Sequence, residues 1–185
     1  MRMRTRLIAS AMALALAACT SAGSSMAPPP PARVNVASLP VEASAVAQNE
    51  DELSRAILSA VNIYRTQIGA PVLANDATLQ RAAAVHSADM SIRGFFGHYN
   101  PDGQGPKERV LAVSSSFNGD LAENLAMVQG MNAKTPDAIA QDMLKGWVAS
   151  PSHRKNLKNA AYTRSGIGIA RRGDMIYATE LFAGP

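Results

Sequence analysis

The stretch SGIGIARRGDMIYATELFA, residues 165–183, consists of two apolar segments on either side of a polar tripeptide at 172–174. Segments rich in β-branched residues favour strands, and a central glycine between charged residues favours a turn, so the stretch predicts a β-hairpin. Gly166 and Gly168 alternate with isoleucines in the first segment. One face of that strand is therefore almost bare, and we expect another element to pack closely against it.

Four helices are predicted before the hairpin. The first begins at Asp51 and ends at Gly69, and the residues at steps of three or four that form its apolar stripe are Leu53, Ile57, Val61, Tyr64 and Ile68. The second runs from Asp76, as its N-cap, to Gly94, and its apolar face comprises Leu79, Ala83, His86 and Met90.

Prolines mark the other two helices. Pro106 suits the first position of a short helix, and Thr135-Pro136 opens a longer one, whose apolar face carries Ile139, Met143 and Trp147. Pro151 is expected to end this last helix.

The segment DLAENLAMVQ, residues 120–129, is predicted to be a further strand. Helices first and a hairpin last predict an α+β fold in which helices cover a small sheet.

The beginning of the chain has the layout of an export signal. Three arginines precede an apolar run from Leu7 to Ala18. This run is too short for a permanent span, since a helix needs roughly 20 residues to cross a bilayer core. The end of the run, LAAC at 16–19, resembles the lipobox of bacterial lipoproteins, in which residues 1–18 are removed and the cysteine is acylated.

Cys19 is the single cysteine of the chain. We therefore expect a lipid anchor on Cys19 and no disulfide in the mature protein; the alternative is a free or buried thiol in an uncleaved helix. The protein would then be extracytoplasmic and membrane-anchored. Thr20, in place of an aspartate after the cysteine, favours the outer membrane if the cell has two membranes.

The mature chain is expected to be nearly neutral. Removal of residues 1–18 takes three of the 18 Lys and Arg side chains and leaves 15 against 14 acidic ones. Because most of the excess positive charge is lost when residues 1–18 are removed, the charge of the mature chain gives no reason to expect a nucleic-acid partner. Residues 19–48, rich in Pro, Ala and Ser, are predicted to be a disordered tether. Residues 49–185 have the size of one domain, which we expect to be a monomer.

Three histidines and one acid are candidates for site chemistry. His86 lies on an apolar stripe and is interpreted as a structural core residue, whereas His98 and His153 each follow the predicted end of a helix. Glu123 lies among apolar residues, and a buried glutamate needs a neutralising partner. Two imidazoles and a carboxylate would suit zinc and leave a position for water. The gaps of 25 and 30 residues match no compact metal motif, so spacing alone leaves this interpretation open.

Six motifs together resemble the CAP superfamily, which groups cysteine-rich secretory proteins, antigen 5 and pathogenesis-related 1 proteins. In order they are HSADMSIRGFFGH at 86–98, NPDG at 100–103, AENLA at 122–126, GWVASPSHRKNL at 146–157, GIGIA at 166–170 and YATELF at 177–182. The chain is most similar to the bacterial branch, which lacks the eukaryotic disulfides. The resemblance covers about residues 51–183. It implies a three-layer α-β-α sandwich with a cleft of two histidines and two acids, and it places His98, Glu123 and His153 in that cleft.

Two positions depart from the family pattern. Ser150 stands where eukaryotic relatives carry the second acid, and its hydroxyl offers neither a charge nor a base at ordinary pH. Ala122 replaces a glycine that many relatives have. A metal would thus be held by His98, Glu123, His153 and water, with an affinity that depends on pH because both imidazoles must be unprotonated.

Three functions stay open at this level. The domain could be a binding module for a divalent metal such as zinc, for a small ligand such as a lipid, or for a protein through its surface loops. It could be a metal-assisted hydrolase of peptidase or esterase type, in which Glu123 or a histidine activates water; the catalytic residues are then unknown. Its cleft could also serve the fold alone. A serine nucleophile is not expected, because no Gly-x-Ser-x-Gly segment occurs.

The substitution Cys19→Ser tests the predicted anchor. Acylation requires the thiol, so we expect the parent protein, extracted from membranes, to carry the added mass of its acyl chains and to begin at residue 19. The variant is expected to lack that mass and to keep residues 1–18. Intact-mass spectrometry measures both, and Ser21→Ala is the matched control that should be processed normally. A membrane-extracted parent protein with an unmodified thiol would exclude the anchor.

Overall fold

The computed structural model describes residues 43–185, with side chains from Glu50 onward. Its helices are α1 (Ala43–Gln67), α2 (Ala77–Arg93), α3 (Pro106–Val113), α4 (Pro136–Ala149) and α5 (Pro151–Lys158), and its strands are β1 (Ala74–Asn75), β2 (Leu121–Val128), β3 (Arg164–Arg172) and β4 (Met175–Ala183). The predicted signal peptide, Cys19 and the tether up to residue 42 lie outside the described residues. Within residues 43–185, no helix is both long and apolar enough to cross a bilayer.

The four strands form one sheet in the order β1-β3-β4-β2. The predicted hairpin is confirmed, since β3 and β4 pair antiparallel from Arg164 opposite Ala183 to Arg172 opposite Met175. Gly173 occupies the turn with a φ of 61°, a conformation that glycine adopts without strain. The strand predicted at 120–129 is confirmed as β2, which pairs antiparallel with β4 and forms one edge of the sheet.

Helices cover both faces of this sheet. On one face α2 packs against β3 and β4, with α3 beside it; on the other, α1 packs against β3, and α4 and α5 contact β2. Apolar side chains of the α1–α4 layer and of the α2–α3 layer form separate clusters on the two sides of the sheet. The predicted α+β fold and three-layer sandwich are confirmed.

The bare face of β3 receives α2, as predicted. A Cβ atom on Gly166 would lie 2.0 Å from the backbone nitrogen of Gln80, and one on Gly168 would lie 2.0 Å from that of Ala84. The Ser87 hydroxyl of α2 donates a 2.9 Å hydrogen bond to the carbonyl of Gly168. Backbone contact at this distance leaves no room for a side chain, so the two glycines fix how closely α2 approaches the sheet.

The ends of α2 follow the sequence signals, whereas both ends of α1 differ from the prediction. α1 begins at Ala43 and not at Asp51, so it includes residues 43–48, which the sequence assigned to the tether. The Asp76 side chain accepts hydrogen bonds from the backbone of Thr78 and Leu79, and Gly94 ends α2 with a φ of 69°. α1 ends at Gln67, so the prediction that Ile68 belongs to its buried stripe is wrong, and that side chain is 39% exposed. The chain leaves the helix there because it turns at Gly69, whose φ is 74°.

A second correction concerns the chain after α4. Pro151 does end α4, but it also occupies the first position of α5, and Ser150 lies between the two helices. His153 therefore lies in the first turn of α5, not in a loop past a helix end. The sequence did not predict α5 because Leu157 is its one fully buried residue, which is too few for a recognisable stripe.

A buried carboxyl group lies on the α1 side of the sheet. The Ser165 hydroxyl donates to Glu180 Oε1 at 3.2 Å, while Oε2 has no hydrogen-bond partner among the described residues. Burial raises the pKa of Glu180 to about 8, against the opposing effects of the Ser165 hydrogen bond and of the positive charge on Arg65. The Arg65 guanidinium is itself held by backbone carbonyls, those of Pro71, Leu157, Asn159 and Tyr162.

This raised pKa predicts a pH-dependent stability. Between the ordinary glutamate pKa of 4.5 and about 8, folded Glu180 keeps a proton that the unfolded chain releases, so the free energy of unfolding falls as pH rises. Glu180→Gln, a neutral isostere, is expected to remove this contribution, which amounts to about 1.4 kcal/mol per pH unit within the window. The variant should therefore be more stable than the parent protein at pH 8.

Urea unfolding at pH 5 to 8 measures this effect. Glu52→Gln, at an exposed position, is the matched control, and its pH dependence should follow that of the parent. Identical slopes for the parent and Glu180→Gln would show that Glu180 is ionised in the folded protein.

Candidate functional site

The predicted site residues lie on β2, the edge strand of the sheet, and on the elements to either side of it. Glu123 and Asn124 are neighbours on this strand, so their side chains point to opposite faces of the sheet. Glu123 contacts α3 and the loop after α2, whereas Asn124 contacts α5. The edge of β2 is thus the place where the two helical layers approach each other and where both predicted histidines arrive.

A chain of charge-assisted hydrogen bonds runs through Glu123. Arg109 Nη2 donates to Glu123 Oε2 at 2.5 Å, and His98 Nδ1 lies 2.9 Å from Glu123 Oε1. The side chains of Arg109 and Glu123 are 5% and 2% exposed, and that of His98 is 49% exposed. Both carboxylate oxygens are engaged, which provides the neutralising partner that a buried Glu123 requires.

This contact decides the tautomer of His98. An ionised carboxylate can only accept hydrogen bonds, so the His98 nitrogen that faces it, Nδ1, carries the proton. The other ring nitrogen, Nε2, then keeps its lone pair while His98 is neutral. Because the ring is half exposed, that lone pair is the part of His98 available to a ligand.

The loop that carries His98, residues 94–105, is fixed on both sides of it. Arg109 Nη1 donates to the carbonyls of His98 and Gln104 at 2.9 and 3.0 Å. His86 Nε2 lies 2.9 Å from the carbonyl of Gly97. Burial, and then the positive charge of Arg109, lower the pKa of His86. A neutral His86 that donates to Gly97 is a buried structural residue, in agreement with the sequence interpretation.

His153 is brought to the opposite side of Glu123 by α5. Asn156 Nδ2 donates to the carbonyl of Glu123 at 3.3 Å and to Asn124 Oδ1 at 2.9 Å, while Asn124 Nδ2 donates to the carbonyl of His153 at 3.3 Å. Burial, and then the charge of His98, lower the pKa of His153. His153 thus lies on the α5 side of β2, and its backbone carbonyl is bonded to the strand residue next to Glu123.

The predicted residues differ in how directly they meet. His98 and Glu123 are in contact, and His153 lies across β2 from them. Ser150 Oγ lies 3.1 Å from Ser152 Oγ and contributes no charge. In residues 43–185, no group of three or more His, Cys, Asp or Glu side chains has an arrangement that could hold a metal ion. The prediction that His98, Glu123 and His153 together hold a metal ion stays a prediction.

Sequence reasoning did not identify Arg109 as part of the site. An arginine in a short polar helix is ordinarily solvated, so nothing in PKERVLAV, residues 106–113, distinguishes it. The usable signal was Glu123, because a carboxylate among apolar residues implies a nearby cation. Asn124 and Asn156 were also missed, since an amide that joins a helix to a strand has no sequence signature.

A family model described as CAP, the cysteine-rich secretory protein family, matches residues 58–182. The chain belongs to the CAP family. It is 30% identical over 138 residues to the uncharacterized protein YkwD of Bacillus subtilis, an alignment that covers 75% of this chain and 48% of YkwD. The chain thus spans about half the length of that relative.

Solved structures agree with the CAP fold. An extracellular protein with a SCP domain from Bacillus anthracis is similar with a TM-score of 0.62 and 29% identity, over 80% of this chain and 45% of that one. An outer surface protein from Borrelia burgdorferi is similar with a TM-score of 0.59 and 19% identity, over 72% of this chain and 92% of that one. The latter likeness concerns the fold alone.

The buried pair Arg109–Glu123 should be strongly coupled. Arg109→Met and Glu123→Leu each leave one charge buried without its partner, so each is expected to lower the free energy of unfolding by about 3–5 kcal/mol. The double variant places two apolar side chains together and should lose much less than the sum of the single losses. Urea unfolding of all four proteins measures the coupling.

The exposed pair Arg93–Asp102 provides the matched control. Replacing both partners by alanine should change stability little, since solvent screens an exposed ion pair. Additive losses in the Arg109 and Glu123 cycle would contradict a buried, coupled pair.

Proposed function

We propose that this CAP protein is a lipid-anchored, extracytoplasmic metal-binding domain of the cell envelope, in which His98 and His153 bind one divalent ion, zinc in the first instance. The observation that supports the proposal most directly is the hydrogen-bonded series Arg109–Glu123–His98. A carboxylate that accepts from Nδ1 of an imidazole orients the ring and makes its Nε2 a better metal donor.

The residues of the site fit such an ion through their donor chemistry. His98 offers Nε2, and His153, whose pKa is lowered, is largely unprotonated at neutral pH, as a metal ligand must be. Glu123 has the supporting role here, because its buried side chain already accepts hydrogen bonds from Arg109 and His98. An ion bound by two imidazoles and water would supply Lewis acidity to that water.

The geometry favours binding over hydrolysis. A general base must reach the water it activates, and the Glu123 side chain is 2% exposed and accepts hydrogen bonds from Arg109 and His98. Ser150 supplies no second carboxylate. We therefore expect a binding site whose water is not activated by a neighbouring carboxylate.

A small ligand with an apolar part is the second candidate occupant. Phe96 and Tyr99 lie within two residues of His98 in the sequence and are 47% and 67% exposed. They would contact the apolar part of a ligand, such as a lipid, whose polar end reached His98.

Two observations support the proposed location. The lipobox-like sequence that ends at Cys19 predicts export and acylation. The Bacillus anthracis protein that resembles this chain at 29% identity is described as extracellular. Neither observation selects a particular membrane.

Zinc titration of the purified protein, made without a histidine tag, tests the metal site. Calorimetry should detect one ion per chain. The chain has three histidines, so the proton signals of three imidazoles can be followed by NMR. Those of His98 and His153 should move on addition of zinc, while that of His86 should stay in place. His98→Asn and His153→Asn should each remove most of the affinity.

Glu123→Gln gives a graded control, because it keeps a hydrogen-bond acceptor beside His98. We expect it to weaken zinc binding by about 10- to 100-fold, the usual effect of losing the group that orients a ligating histidine. Two results would exclude this site. One is zinc binding that persists in the His98→Asn, His153→Asn double variant, and the other is no zinc binding by the folded parent protein at neutral pH.

A further inference from the structure

α5 carries a basic face that the proposed metal site does not use. Arg154, Lys155 and Lys158 line an open groove of about 530 Å³ together with Pro151 and Asn159. Residues three or four apart share one side of a helix, so positions 151, 154, 155 and 158 form a single stripe. His153, Asn156 and the fully buried Leu157 occupy the opposite side, which faces β2 and the core.

These cations have no acidic partners in the described part of the chain. None of the ion pairs formed by residues 50–185 includes Arg154, Lys155 or Lys158. Arg154 is partly committed, because its Nη1 donates to the carbonyl of Val148 at 2.6 Å. The two lysines are exposed. Three like charges within two helical turns, without a compensating carboxylate, form a local excess of positive charge in a mature chain expected to be nearly neutral.

We propose that this basic face docks the domain on the anionic phospholipid surface that carries the Cys19 anchor. Charge complementarity points to phospholipid, and the length of the chain before the domain allows the contact. Residues 20–42 can extend over at most about 80 Å, so an anchored domain samples the bilayer beside it. Each lysine near an anionic bilayer contributes about 1 kcal/mol, or about fivefold in the ratio of docked to undocked domains.

The docked orientation keeps the proposed metal site accessible. His153 lies on the side of α5 away from the basic stripe, and His98 lies across β2 in the other helical layer. Contact between the bilayer and Lys155 or Lys158 therefore covers neither imidazole. The lipid anchor restricts where the domain is, and the basic face restricts which side of it faces the membrane.

The anchored full-length protein, reconstituted in vesicles, provides the test. With Cys19 acylated, a cysteine introduced by Ala160→Cys, at an exposed position just after α5, is the only thiol to label. A fluorophore there should be quenched by quencher-bearing lipid headgroups in phosphatidylglycerol vesicles. A fluorophore at Ser115→Cys, an exposed position after α3 in the opposite layer, should be quenched less. Phosphatidylcholine vesicles and 1 M NaCl should remove the difference.

Charge reversal makes the test specific for α5. Lys155→Glu with Lys158→Glu should lower the docked-to-undocked ratio by at least about 25-fold and abolish the difference between the two labels. Arg81→Glu with Lys107→Glu, at exposed positions in the other layer, changes the net charge equally and should preserve the difference. Equal quenching of both labels in phosphatidylglycerol vesicles, or a difference that survives the α5 reversal, would overturn the proposal.

The inference depends on the proposed anchor and not on the proposed metal site. The Lys155→Glu, Lys158→Glu protein should bind zinc as the parent does, because neither lysine forms an ion pair with a site residue in the described part of the chain and both point away from β2. Failure of the anchor is identified separately by the mass of the membrane-extracted chain, and failure of the metal site by the zinc titration.

Discussion

The buried carboxylate of Glu123 connects most of what positions the site. An ionised carboxylate with 2% exposure is stable only if hydrogen-bonded cations or donors replace the water it has lost. Arg109 meets that requirement, and the same guanidinium holds the loop of residues 94–105 through two backbone carbonyls. His98 uses the second oxygen. One electrostatic requirement therefore fixes the position of α3, the path of a twelve-residue loop and the tautomer of an exposed imidazole.

The edge of β2 shows how the other layer is joined to this arrangement. An edge strand presents unpaired backbone groups, and natural sheets cover or block them. Here Trp147 Nε1 donates to the carbonyl of Leu125 at 2.8 Å, and Asn156 donates to that of Glu123. The groups that cover the edge belong to α4 and α5, so the contacts that cover the edge also hold α5 in position. Because His153 belongs to α5, these contacts also determine where His153 lies.

α5 consequently has two sides with different chemistry. Its inner side carries Leu157, Asn156 and His153, which contact the core, β2 and the site region. Its outer side carries the lysines. This short helix is held in place by hydrogen bonds and by one buried leucine. Because little of its surface is needed for packing, most of that surface can carry polar and charged side chains. A proposed ligand site and a proposed membrane contact can then occupy one eight-residue element without overlap.

The sequence by itself determined the α+β class, the hairpin, the strand at 120–129 and the caps of α2, because these depend on local periodicity, turn residues and glycines whose effect is set by neighbours in the chain. Together with its motifs it also identified the CAP family, and it predicted His98, Glu123 and His153 as candidate site residues. Only the tertiary structure decided that Arg109 neutralises Glu123, that α5 exists as a helix and that Ile68 is exposed. Those features depend on hydrogen bonds and packing between residues far apart in the chain, and such contacts impose no periodic pattern on the sequence that makes them.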